Sequence, residues 1–143
     1  MSEFIFEDLG PNFECSGTAQ VFDVGGVDPT NLIRSDQDAF VRIRLRTEGA
    51  YTTMIGGKFR LRLHLERMGP GPELNLPAAP VEVGLVPGVS PQNYTRNITI
   101  AAGSVTPGAY KLVTTVTYES LAGNPGPIAG YSEGPILQFY NAA

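Results

Sequence analysis

The chain has a single cysteine, a single histidine and no tryptophan. One cysteine excludes an intramolecular disulfide framework and a cysteine-built zinc site, and one histidine excludes a multi-histidine metal centre. An excess of positive charge is also missing, since 10 Lys and Arg stand against 14 Asp and Glu, a formal charge of −4. Nucleic-acid-binding domains normally show the opposite balance, with exposed aromatics interleaved, so no nucleic-acid partner is expected. No apolar run approaches the ~20 residues needed to span a bilayer, so no membrane partner is expected either. The N-terminus is acidic, with Glu3, Glu7 and Asp8, and shows neither the basic n-region nor the apolar h-region of a secretory signal. Together with the lone Cys15, which suits a reducing compartment, this predicts a cytoplasmic protein.

Glycine and proline are abundant, 17 and 12 of 143 residues, above their usual combined share of ~12 %. The length corresponds to one domain, residues 1–143, with an acidic N-terminal arm over 1–17. Glycine and proline leave few windows long enough for a helix, and the periodicity in those windows is two. Val41, Ile43 and Leu45 alternate with Arg42, Arg44 and Arg46, and Phe59, Leu61, Leu63 and Leu65 alternate with Arg60, Arg62, His64 and Glu66. On a strand each apolar set shares one face, whereas on a helix it would be smeared around the cylinder. Residues 110–118 are β-branched and aromatic, which favours the pleated backbone. Weaker strands are predicted over 18–24, 81–86, 93–100 and 136–140, with a short edge strand at 4–6. Residues 69–92 hold six of the twelve prolines and read as a loop with a possible edge strand, because proline cannot donate to a ladder. Residues 121–135 read as a second loop. The fold class predicted is all-β, a single antiparallel immunoglobulin-like β-sandwich of about seven or eight strands.

The strands AFVRIRLR and KFRLRLHLE, the later NYTRNITI, and the run Thr106-Pro107-Gly108-Ala109-Tyr110-Lys111-Leu112 together resemble the immunoglobulin-like β-sandwiches common in bacteria. In strand order the chain looks most similar to the adhesion-related, CARDB-like modules. The resemblance covers residues 39–118. It implies a corner in which the Tyr110 ring packs under the sandwich end and its hydroxyl bonds a nearby backbone group. The cysteine pair and the tryptophan of antibody domains are absent.

Catalytic signatures are sparse. His64 is the only imidazole available to a nucleophilic mechanism, and it lies on the polar side of a strand between Arg62 and Glu66. Gly56-Gly57-Lys58 is followed by Phe59, so it lacks the hydroxyl residue and the helix of a phosphate loop. Asp36-Gln37-Asp38, with Asp28 and Asn31, offers oxygens for calcium but no EF-hand spacing, and reads as a turn. Asn93-Tyr94-Thr95 and Asn97-Ile98-Thr99 have the form of glycosylation acceptors and read as the polar side of a strand. Tyr51, Tyr131 and Tyr140 are the aromatic candidates for a glycan platform. No cofactor and no metal are expected, and the chain reads as a non-enzyme.

The charge is segregated along the chain. Residues 39–67 carry seven basic against two acidic side chains, while residues 1–38 carry one basic against eight acidic. The predicted binding residues are Arg42, Arg44, Arg46, Arg60, Arg62 and His64. If both strands share a sheet, their like charges sit ~5 Å apart across the ladder, which is unfavourable without compensation. The alternatives are that the acidic arm covers the basic face, that the strands lie in opposite sheets, that another chain meets the face, or that a polyanion does. The function expected is a protein-interaction or self-assembly module, its partner another protein or a second copy. A small-molecule or carbohydrate-binding sandwich is the alternative, and a small hydrolase built on His64 the last.

Overall fold

A computed structural model of the chain describes residues 2–7, 10–25 and 29–141, with Ala78 described by its backbone alone. Asp8 of the acidic stretch and Asp28 of the candidate calcium set lie outside the described residues. Among the described residues there are ten strands and one 3₁₀ turn. They run β1 (Ser2–Glu3), β2 (Ile5–Phe6), β3 (Glu14–Phe22), β4 (Leu32–Arg34), β5 (Ala39–Glu48), the 3₁₀ turn Ala50–Thr53, β6 (Lys58–Arg67), β7 (Leu74–Gly84), β8 (Gln92–Ile100), β9 (Gly108–Glu119) and β10 (Pro125–Tyr140). The four-stranded sheet has the order β1-β3-β5-β8. The six-stranded sheet has the order β2-β10-β9-β6-β7, with β4 also on β10. Strand pairing is antiparallel except between β4 and β10. This is the predicted all-β antiparallel sandwich of two sheets, with seven long strands supplemented by three short ones.

The period of two works as expected in β5, β6 and β9. Val41, Ile43 and Leu45 from one sheet, and Phe59, Leu61, Leu63, Leu65, Leu112 and Val116 from the other, are buried in a shared core. The N-terminal stretch is woven into both sheets. Ser2 and Glu3 pair with β3, Ile5 and Phe6 pair with β10, and Phe4 between them enters the core.

Beside the unpredicted β4 and a β3 that runs over 14–22 where 18–24 is expected, two longer stretches differ from the sequence expectation. Residues 125–135, expected as part of a loop, belong to the 16-residue strand β10. Gly126, Pro127, Gly134 and Pro135 fall where the register with β9 slips, between Pro125 and Ala129 and between Glu133 and Ile136, while Gly130 pairs in register with Val116. Bulges absorb residues that cannot join the ladder, so the strand continues through them. In the proline-rich stretch 69–92, β7 runs from Leu74 to Gly84 at the edge of its sheet, longer than the strand expected there. Pro77 and Pro80 sit at the register slip between Leu61 and Leu63 of β6.

The expected corner is present. Tyr110 is fully buried, and its hydroxyl donates to the carbonyl of Thr106 at 2.9 Å. Arg67, at the end of β6, donates to the same hydroxyl at 2.9 Å and to the Thr106 hydroxyl at 2.9 Å.

Candidate recognition face

The candidate arginines do not form one face. Arg42, Arg44 and Arg46 lie on β5 in the four-stranded sheet, whereas Arg60, Arg62 and His64 lie on β6 in the six-stranded sheet. On both strands the intervening residues are buried, so the two sets project from opposite outer surfaces of the sandwich. The repulsion feared across a ladder is avoided because the strands are never neighbours.

The β6 set is largely spent internally. Lys58 Nζ lies 3.0 Å from Glu82 and 3.6 Å from Glu119, and Arg60 lies 3.8 Å and 3.7 Å from the same two carboxylates. The hydrogen bond to Glu82, with the charge of Glu119 adding to it, holds the Lys58 ammonium above its ordinary pKa. These pairs tie the edge strand β7, through Glu82, to β6 and β9. His64 is held on one ring nitrogen by Asn75 and on the other by the Thr115 hydroxyl, at 3.2 Å. Arg62 is exposed and pairs with no group among the described residues. It stands as an isolated cation beside Thr115.

The β5 set is arranged differently. Register places Gln20, Arg42 and Asn97 in one row across the sheet, Thr18, Arg44 and Thr95 in the next, and Ser16, Arg46 and Asn93 in the third. Three guanidinium groups therefore run down the middle of a polar sheet face, flanked by neutral hydroxyls and amides. Successive members are about 7 Å apart along the strand. Arg42 is positioned by stacking, its guanidinium carbon 4.8 Å from the Phe22 ring centre and 5.5 Å from that of Phe40. The two rings stack on each other at 5.2 Å. Arg46 reaches Glu48 at 3.5 Å. Arg44, exposed between them, has a side chain that pairs with no group among the described residues. A depression of about 420 Å³ opens around it, lined by Glu3, Ser16, Thr18, Arg44, Arg46 and Thr95 among others. At the far end of the face Glu14 stands directly opposite Glu48.

Among the described acidic residues of 1–38, Glu3 lies in the Arg44 row beyond Thr18, Glu14 faces Glu48, and Asp36 and Asp38 are engaged elsewhere. Asp36 accepts two hydrogen bonds from Arg34, at 3.0 and 2.8 Å, which hold its carboxyl below the ordinary range. Asp38 accepts the backbone N–H of Ala102 at 2.7 Å. Both carboxylates of the candidate calcium turn are thus used as local structural acceptors. Asn93, Thr95, Asn97 and Thr99 all point outward from β8, as the polar side expected there.

One feature had no signal in the sequence. Phe13, Tyr51, Met54, Ile55, Tyr118, Pro127 and Ile128 line an apolar cleft of about 400 Å³ at one end of the sandwich. These residues come from four separate stretches, and only Tyr51 stood out beforehand as a site candidate.

No protein-family model matches the chain, and no curated protein matches it in sequence. Among solved structures, it is similar to a protein from Bordetella pertussis described as ApaA, with 14 % identity and a TM-score of 0.41, over 92 % of this chain and 98 % of that one.

Proposed function

We propose that the chain is a non-catalytic recognition module that presents the outer face of its four-stranded sheet to an anionic protein surface, on another protein or a second copy. The observation that supports this most is Arg44. It is an exposed guanidinium at the centre of a polar sheet, between two further arginines, and makes no ion pair among the described residues. Guanidinium groups pair bidentately with carboxylates and stay charged at any working pH, so such a row is suited to carboxylate recognition. The non-catalytic part of the reading is supported by His64, whose two ring nitrogens both engage neutral partners. A cytoplasmic setting is supported by the lone thiol of Cys15.

The test is binding of fluorescent poly-L-glutamate, with sedimentation of the chain alone run in parallel for self-association, each at low and high salt. Binding or association that vanishes at high salt and in the Arg42→Ser, Arg44→Ser, Arg46→Ser triple variant, and survives in Arg62→Ser, is the expected result. Indifference to the triple substitution would sink the reading.

A second reading rests on the apolar cleft, whose size and aromatic lining suit a small apolar ligand. A rise in melting temperature with a small aromatic compound, lost in Met54→Lys, would favour it over protein recognition.

A further inference from the structure

We infer that the occupant of this face is an extended acidic polypeptide segment whose side chains alternate in register with β5: an apolar residue, then three acidic residues at every second position, then a basic one. This rests on the recognition reading above and names its partner. Along the outer side of β5 the order is Phe40, Arg42, Arg44, Arg46, Glu48. Phe40 is half-buried against Phe22, and Glu48 is joined by Glu14 across the ladder. Three kinds of chemistry therefore follow one another at the spacing of alternate strand residues, about 7 Å per step. An extended chain has the same period, so each guanidinium meets one carboxylate when the acids occupy positions i, i+2 and i+4.

The ends of the row select against a uniform polyanion. A nucleic acid or a sulfated glycan lying along the arginines would run its next charge onto Glu48 and Glu14, where like charges repel. A polypeptide can change sign at that step and place a lysine or arginine there. Ser16, Thr18 and Gln20 on one side, and Asn93, Thr95 and Asn97 on the other, supply hydroxyls and amides that can bond the segment's backbone.

The experiment uses the full chain and three fluorescent probes in anisotropy titrations. The first is the peptide Leu-Ser-Glu-Ser-Glu-Ser-Glu-Ser-Lys. The second has the same composition with its acids contiguous, Leu-Ser-Ser-Glu-Glu-Glu-Ser-Ser-Lys. The third is a heparin fragment. The alternating peptide should bind at least about five-fold more tightly than the other two, and Arg44→Gln should remove most of that advantage. The melting temperature of Arg44→Gln should match that of the parent chain, because the side chain has no partner among the described residues to lose. Equal binding of all three probes, abolished by Arg44→Gln, would overturn the alternating pattern and leave the anionic-face reading standing. Tight binding of the alternating peptide that ignores Arg44→Gln would place its seat elsewhere and overturn the inference. Failure of the peptides and of poly-L-glutamate alike would overturn both.

Discussion

The guanidinium of Arg67 stands 2.9 Å from the hydroxyl of Tyr110 and covers its ring, with 5.4 Å from the guanidinium carbon to the ring centre. It also donates to the carbonyl of Pro107 at 3.2 Å. The end of β6 is thereby fastened to the turn that begins β9. Arg67 counts among the basic residues of the segment 39–67, yet its role is structural and it adds nothing to the recognition face.

Tyr110→Phe removes the donor to the Thr106 carbonyl and the acceptor for Arg67 in a fully buried site. The expected cost is about 1–2 kcal/mol in denaturant-induced unfolding. A double-mutant cycle with Arg67→Met should show positive coupling between the two residues. A loss below about 0.5 kcal/mol would mean that the corner contributes packing alone.

Gly17→Ala should destabilise the fold although the backbone there is ordinary for a strand. An added Cβ would meet the Arg44 carbonyl at 2.6 Å and a Leu45 methyl at 2.7 Å. The gain from a stiffer unfolded chain, roughly 0.4–1 kcal/mol, is smaller than the usual overpacking cost of about 1–3 kcal/mol. The Gly17 carbonyl also accepts the Phe4 N–H at 2.9 Å. Faster hydrogen exchange at Phe4, together with a lower melting temperature, is the expected pair of results. A melting temperature at or above the parent's would refute the argument.

Burial pushes the Cys15 thiol from 9.0 up to about 12. The folded chain holds this proton more tightly than the unfolded one, so stability should decline as pH rises from 9.0 towards about 12. Below that window the thiol makes no pH-dependent contribution. Iodoacetamide at pH 9 should therefore modify the native protein far more slowly than the urea-unfolded chain. Equal rates would show that the thiolate forms freely in the fold.

Arg96 lies opposite the buried Ile43, on the inward side of the edge strand β8. It stays exposed and donates to the Thr95 carbonyl at 2.8 Å. An inward-facing charge on an edge strand hinders pairing with another chain. Arg96→Val should raise light scattering on mild heating while leaving the unfolding free energy equal or higher. Unchanged scattering would mean that β8 is protected by other means.

Alternation made the central strands legible, because burial of one face leaves a period of two in the residues of β5, β6 and β9. It also marked Arg42, Arg44 and Arg46 as outward-facing, and the run leading into Tyr110 pointed to the corner. Residues 125–135 of β10 were hidden because Gly126, Pro127, Gly134 and Pro135 look like loop residues until the register slips that hold them are seen. The neutralisation of Lys58 and Arg60 was hidden for a related reason: Glu82 and Glu119 lie far along the chain, and only the pairing of β6 with β7 and β9 brings them together.

The sequence by itself determined the fold class, the inward and outward side of each strong strand, and the segregation of charge along the chain, because these follow from local period and composition. Only the tertiary structure decided which sheet each strand joined. That choice separated Arg42, Arg44 and Arg46 from Arg60, Arg62 and His64, since side-chain alternation fixes the direction of a residue relative to its own strand and says nothing of its neighbours. It also placed two carboxylates in ion-pair reach of Lys58 and Arg60, while Arg44 makes no ion pair among the described residues, and so made a single row of arginines, on one surface, the place where a partner is expected.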